Sequence, residues 1–206
     1  MTPPSDVPTD SPIEVPASSA AAAPTDDPRP DELRRAPSLV LVNTGNGKGK
    51  TSAAIGVIIR GLGRGWSVGV VQFLKSGTWR TGEEKVCREL GVDWWALGEG
   101  FTWDSHDLTV DQAIAVEAWE HARRIINAGD HQLVVLDEIT YPMNWDWIAV
   151  DDVLATIRDR PAHVNVVCTG RDAPASLIGL ADTVSDIAEV KHAYQRGIRA
   201  KKGIDY

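Results

Sequence analysis

From Ser38 onward, short apolar runs alternate with segments whose apolar residues recur at helical spacing. Six short runs are rich in apolar residues: SLVLVNT, SVGVVQFL, VDWWAL, HQLVVLDE, HVNVVCTG and TVSDIAEV. The helical segments between them span about residues 51–62, 81–90, 108–129, 150–160 and 173–182. Strands without a polar face are typical of a parallel sheet that helices cover on both faces. The pattern therefore predicts an α/β fold with a mostly parallel sheet.

The first 36 residues have a different composition. Nine of the twelve prolines lie within residues 1–37, among Ala, Ser, Thr and Asp, and none of the eight tryptophans does. Such a segment buries too little apolar surface to offset the entropy lost on ordering. We therefore predict a disordered tail over residues 1–36 and one domain over residues 37–206, a size that suits a single core.

Charge and cysteine content narrow the function class. The net charge is −8, and residues 1–36 carry half of it, which leaves a mildly acidic domain. Nucleic-acid binding normally needs clustered Lys and Arg, so we expect no nucleic-acid partner. No apolar run approaches the roughly 18 residues of a membrane span, and no secretory signal is visible, so we expect no membrane association. The isolated Cys87 and Cys168 favour free thiols in a reducing cytoplasm.

The segment LVLVNTGNGKGKTSAA, residues 39–54, is close to a phosphate-binding loop. A strand precedes it and a helix follows, so backbone N–H groups between Gly45 and Gly49 can bind phosphate oxygens. Lys50 would offset phosphate charge, and the Thr51 hydroxyl could bind Mg²⁺. The alternative is a glycine-rich turn without a ligand. Two residues depart from the usual motif: Thr44 replaces its first glycine, and Lys48 is an additional lysine.

Further polar segments follow three other predicted strands, where ligands of parallel sheets bind. These segments are KSGTWRTGEE, DEITY and TGRDA. The first two residues of DEITY, Asp137 and Glu138, could hold Mg²⁺ directly or through water, because hard cations prefer oxygen ligands. The alternative is a pair of carboxylates that only begins a loop. Arg171 in TGRDA offers a forked donor beside the predicted phosphate site.

Several segments together resemble one known family. They are TGNGKGKTSAA, VVQFLK, GFTW, VVLDEITY, TGRDAP, ADTVSDI and VKHAYQRGIRAKKGIDY. In this order and at this spacing, over about residues 39–206, they are similar to the ATP:corrinoid adenosyltransferases of cobalamin biosynthesis and salvage. The resemblance implies a P-loop NTPase-like, RecA-like fold. It also implies that the two departures in the loop are family traits.

The resemblance implies a reaction in which the Co(I) of a reduced corrinoid attacks the 5′-carbon of ATP and expels triphosphate. The corrinoid would be cobalamin or a precursor such as cob(I)yrinic acid a,c-diamide, with ATP as co-substrate and Mg²⁺ as cofactor. Nucleotide-binding residues are then Gly45, Asn46, Gly47, Lys48, Gly49, Lys50, Thr51, Ser52, Arg60 and Arg171. The expected Mg²⁺ ligands are Thr51, Glu138 and Asp137, without a choice between the two carboxylates for direct contact.

The catalytic set expected from the resemblance is Lys50 together with Phe101 and Trp103 of the GFTW segment, which would face the corrin. From sequence alone, aromatic residues in a loop more often close over a core than contact a ligand. The family also implies a homodimer and a flavodoxin-type reductant.

Three alternatives share the strand–loop–helix start. One is a RecA-like ATP-hydrolysing module on nucleic acid, which would need a basic surface. Another is a small-molecule kinase, which needs a residue that positions an acceptor hydroxyl. The third is a nucleotide sensor without catalysis. The products distinguish them: triphosphate with an adenosylcorrinoid, ADP with phosphate or a phosphoester, or nothing.

Overall fold

The computed structural model describes residue 29 and residues 32–76, 81–98 and 108–205. The chain divides into two units, Met1–Arg35, most of which lies outside the described residues, and Ala36–Tyr206. No helix in the described part of the chain is long and apolar enough to cross a membrane.

Six parallel strands form one sheet in the order β3-β2-β4-β5-β1-β6. Their bounds are β1 Val40–Thr44, β2 Val68–Ser76, β3 Asp93–Gly98, β4 Leu133–Asp137, β5 Asn165–Thr169 and β6 Thr183–Asp186. The predicted α/β class with a parallel sheet is confirmed. The order places β5 between β1 and β4, so the loop after β1 and the carboxylates of Asp137 and Glu138 at the end of β4 lie on either side of Thr169.

Within the described residues, six α-helices accompany the strands. Their bounds are α1 Lys50–Leu62, α2 Gly82–Glu89, α3 Leu108–Ala128, α4 Thr140–Asn144, α5 Val150–Arg158 and α6 Ala175–Leu180. A short 3-10 helix, Ala193–Arg196, follows β6. The pattern did not predict α4 or the 3-10 helix, because four or five residues are too few to show a helical period.

Alternate residues of the buried strands face opposite sides of the sheet. On one side, Val68, Val70, Leu133, Val135 and Val167 pack with residues of α1 and α2. On the other side, their neighbours in β2, β4 and β5 pack with α3, α5 and α6. Both faces are therefore covered, which explains why these strands carry no polar face in the sequence.

Candidate active site

The loop between β1 and α1 lies against the chain that follows β6. Gly45 has φ of +93°, and a Cβ there would overlap the Oδ1 of Asp186. At Gly47 a Cβ would come 2.5 Å from the Ala188 carbonyl oxygen, and its N–H donates to the Ile187 carbonyl at 2.6 Å. Only glycine fits this close approach, so packing alone already requires glycine at Gly45 and Gly47.

Lys50, the first residue of α1, folds back over the loop. Its Nζ donates to the carbonyl oxygens of Gly45 and Gly47, each at 2.9 Å, and the side chain is buried. Burial lowers the pKa of Lys50; the Glu138 carboxylate opposes this shift, and the Arg171 guanidinium adds to it. The ammonium therefore lies among the charged groups predicted for the site.

Asp137 at the end of β4 is the centre of a buried hydrogen-bond network. Its Oδ1 accepts from the hydroxyls of Thr51 and Thr169, each at 2.8 Å. Its Oδ2 accepts from Gln72 Nε2 at 2.8 Å, and Gln72 Oε1 accepts from Trp94 Nε1 at 3.0 Å. These bonds fix the carboxylate and orient the Thr51 hydroxyl, since its proton points to Asp137.

Glu138 is held differently from Asp137. It has φ of +66°, and its N–H donates to the Thr169 hydroxyl at 2.9 Å. It borders a cleft of about 190 Å³ whose other lining residues are Lys48, Gly49, Lys50, Thr51, Ser52, Glu83 and Asp205. Thr51 and Glu138 thus line one cleft beside the loop. Two oxygen donors of this kind fit a Mg²⁺ ion.

The loop that carries Arg171 is fastened from three directions. The Arg171 carbonyl oxygen accepts a hydrogen bond from the Thr140 hydroxyl at 2.6 Å. The Asp172 carbonyl oxygen accepts one from Asn144 Nδ2 at 3.0 Å. The third bond comes from Thr44, whose hydroxyl accepts the Ala173 N–H at 3.1 Å. The threonine in place of the first motif glycine therefore connects the end of β1, where the glycine loop begins, to the Arg171 loop.

Thr44 and Arg171 also line a larger cleft, with a volume of about 720 Å³. Its remaining lining residues are Gly45, Asn46, Asp172, Ala173, Ile178, Asp186, Ala188 and Glu189. This cleft lies on the β6 side of the loop, whereas the smaller cleft with Glu138 lies on the α1 side.

Most of the predicted residues that the structure describes come together around the loop, but Arg60 does not. Arg60 lies exposed in the last turn of α1, ten residues after Lys50, or about 15 Å along the helix. Phe101 and Trp103 lie outside the described residues.

Sequence reasoning missed Gln72, Thr169 and Asp205. Thr169 and Gln72 looked like ordinary strand residues. A polar residue near the end of an apolar strand was the available signal, because parallel register places such residues beside the same edge. No local pattern in the sequence indicated Asp205, because its contact with Lys48 joins residues that are 157 positions apart in the chain.

Comparison with known proteins then decides the family. Residues 36–206 match the family described as ATP:corrinoid adenosyltransferase BtuR/CobO/CobP. The chain belongs to this family. It is thus an enzyme for the ATP-dependent adenosylation of corrinoids.

Individual relatives agree with this assignment. Corrinoid adenosyltransferase CobA of Salmonella typhimurium is 40% identical over 180 residues, which cover 87% of this chain and 91% of the relative. The corrinoid adenosyltransferase of Pseudomonas aeruginosa is 45% identical over 82% of this chain and 83% of its own length. The flagellar accessory protein FlaH of Methanocaldococcus jannaschii has a TM-score of 0.47 at 12% identity, over 72% of this chain and 70% of its own. That likeness is too low to support a conclusion.

Proposed function

We propose that this adenosyltransferase uses residues 45–51 to hold the triphosphate of ATP as a leaving group. The Co(I) of a reduced corrinoid attacks C5′ of ATP, so a Co–C bond forms and the C5′–O bond breaks. The electron pair of the broken bond leaves with the triphosphate, and the cobalt is formally oxidised to Co(III). The observation that carries the proposal is the buried Lys50, placed over a glycine loop beside the Thr51–Asp137 pair.

In this proposal the nucleophile belongs to the substrate, so the protein's tasks are binding, orientation and charge stabilisation. Lys50 exchanges its loop carbonyl partners for phosphate oxygens, with three N–H donors available. As C5′–O breaks, negative charge grows on the triphosphate, and a fixed ammonium stabilises that charge more than the ground state. Arg171, fastened by Thr44 and Thr140, offers a second cation beside the loop.

For Mg²⁺ we propose Thr51 and Glu138 as the protein ligands. Bound there, the ion would neutralise part of the triphosphate charge. Asp137 orients the Thr51 hydroxyl by accepting its hydrogen bond, with 2.8 Å between the two oxygens, which leaves the hydroxyl lone pairs available to a cation. Asp137 would support the ion through Thr51 rather than by direct contact, because its two oxygens already accept hydrogen bonds from Thr51, Thr169 and Gln72.

The corrinoid side of the proposal rests on residues outside the described part. Phe101 and Trp103 would form an apolar wall below the corrin that offers no lone pair to cobalt. A Co(II) centre without an axial ligand is easier to reduce, so such a wall would help to generate Co(I). A flavodoxin-type protein would supply the electron, and the enzyme would work as a cytoplasmic homodimer. The free thiols of Cys87 and Cys168 suit a reducing compartment.

The products test the proposed function. Purified protein is mixed anaerobically with ATP, Mg²⁺ and chemically reduced cob(I)alamin. We expect a light-sensitive adenosylcobalamin and triphosphate in equal amounts. ADP with phosphate, or ADP with a phosphoester of an added acceptor, would instead support hydrolysis or kinase chemistry. A parallel reaction without corrinoid should leave ATP intact.

A further inference from the structure

Lys48, the additional lysine of the loop, is held from outside the loop. Its Nζ lies 3.3 Å from Asp205 Oδ1 and donates to the Asp205 carbonyl oxygen, also at 3.3 Å. The C-terminal turn fixes that carboxylate, because Asp205 Oδ2 accepts the Lys201 N–H at 2.7 Å and the Asp205 N–H donates back to the Lys201 carbonyl at 2.8 Å. The Lys201 hydrogen bond, followed by Lys48, lowers the pKa of Asp205.

The same carboxylate borders the space beside the phosphate-binding loop. Asp205 lines the cleft of about 190 Å³ that Lys48, Lys50, Thr51 and Glu138 also line. A triphosphate on the loop would bring several negative charges to this cleft. Asp205 and the triphosphate would therefore both attract the Lys48 ammonium.

Lys48 and Lys50 differ in what holds them. Lys50 is buried, and its ammonium donates to carbonyl oxygens of the loop itself. Lys48 has 46% of its side chain exposed, and its partner Asp205 has 24% exposed. An ion pair this exposed is worth only a small factor in an equilibrium, so a polyanion can displace Asp205.

We propose that Asp205 is a positioning residue that competes with the triphosphate for Lys48 and thereby assists release of this product. The inference rests on the proposed function, since it requires triphosphate on the loop. When ATP binds, Lys48 exchanges the carboxylate for phosphate oxygens. When triphosphate leaves, Asp205 takes Lys48 back, so the departing product leaves no unpaired ammonium. The several negative charges of an intact triphosphate favour its retention by the two lysines, and Asp205 opposes this for Lys48.

The proposal is tested by calorimetric titration of the full-length protein with sodium tripolyphosphate. Asp205→Asn is the informative change, because an asparagine oxygen still accepts the Lys201 N–H while the charge is lost. We expect the dissociation constant to fall about two- to fivefold, the range of an exposed ion pair. Asp130→Asn, an exposed change just before β4 at the opposite end of the sheet, alters net charge equally and should have no effect.

The Lys48→Gln variant distinguishes competition for Lys48 from simple repulsion between Asp205 and the bound anion. In Lys48→Gln protein, adding Asp205→Asn should no longer tighten tripolyphosphate binding, because the contested ammonium is gone. Equal tightening in both backgrounds would overturn the proposal in favour of repulsion between Asp205 and the anion. Unchanged or weaker binding by the single variant Asp205→Asn would overturn it in favour of a structural role. Formation of adenosylcobalamin by the same preparations shows whether the proposed function stands regardless of this result.

Discussion

At the scale of single residues, Thr44 shows how a departure from a motif can add a contact. A glycine at this position would leave the Ala173 N–H without the hydroxyl that now accepts it at 3.1 Å. Thr44 is also in strand β1, where its backbone carbonyl accepts the Ile187 N–H at 2.9 Å. A β-branched residue suits such a strand position. Threonine in place of the motif glycine thus connects β1 to the loop that contains Ala173, while its backbone connects β1 to the chain at Ile187.

Replacement of Thr44 by valine tests this contact. Valine keeps the shape but offers no acceptor, so the Ala173 N–H loses its partner at a cost of about 1–3 kcal/mol. We expect urea unfolding to show that loss for Thr44→Val, while Thr44→Ser retains most of the stability. The kcat/KM of the valine variant should fall, and in an Arg171→Ala background the fall should be much smaller. Equal stability of the valine and serine variants would contradict a role for the hydroxyl.

Lys50 is the residue on which the proposed chemistry depends most. Lys50→Ala removes a charge-assisted contact to a leaving group that gains charge, which costs about 2–4 kcal/mol in the transition state. Adenosylation from pre-formed Co(I) should therefore slow about 30- to 1000-fold. Lys85→Ala, on the exposed face of α2, is the matched control and should keep full activity. Near-normal turnover by Lys50→Ala would remove the loop from the proposed mechanism.

At the scale of elements, β5 connects the core to the site. Cys168 is fully buried, and burial raises the pKa of its thiol to about 12. The unfolded chain releases this proton near pH 9, so the folded state binds more protons between pH 9 and 12. The Cys168 thiol therefore makes its full contribution to the free energy of unfolding below pH 9. This contribution is lost as the pH rises from 9 to about 12.

Cys168→Ala should make this loss visible. At pH 8 the variant should be less stable by about 1–2 kcal/mol, because a small cavity remains. Between pH 8 and pH 10.5 the parent protein should lose about 2 kcal/mol more than the variant, since 1.5 pH units above the unfolded pKa correspond to that energy. Urea unfolding at both pH values measures the difference. Parallel losses would mean that the thiol ionises without unfolding.

The elements also show what could be predicted from the sequence. Alternation of apolar runs and helical spacing predicted all six strands of the sheet. Burial of both faces explains the apolar runs of the central strands, whereas the edge strand β6 is exposed. Within the candidate site, the sequence could predict a loop whose residues are neighbours along the chain, as for Gly45 to Thr51. Contacts such as Thr169 to Asp137 and Asp205 to Lys48 depend on strand order and on a C-terminal turn. Local periodicity in the sequence encodes neither the strand order nor this turn, so these contacts could be found only from the structure.

At the scale of the whole molecule, the domain should begin close to Ala36. The buried core side chains of the described part lie between Val40 and Leu177, and the family match begins at residue 36. The two residues that precede β1 make the first contacts of the domain. Ser38 Oγ accepts from Arg160 Nη2 at 3.0 Å, and the Leu39 N–H donates to Asn165 Oδ1 at 2.9 Å. The proline-rich composition of residues 1–36 predicts a segment that adds little to folding stability.

Two truncations with neighbouring end points test this boundary. Deletion of residues 1–35 should shift the melting temperature by less than about 2 °C, because a loss of 1 kcal/mol moves a domain of this size by roughly 2–4 °C. Deletion of residues 1–39 also removes the Ser38 and Leu39 contacts, so it should lower the melting temperature clearly below that of the shorter deletion. Calorimetry of both proteins beside the full chain gives the comparison. If the shorter deletion alone already lowers the melting temperature by several degrees, the tail takes part in the fold, and the domain boundary placed at residue 36 is wrong.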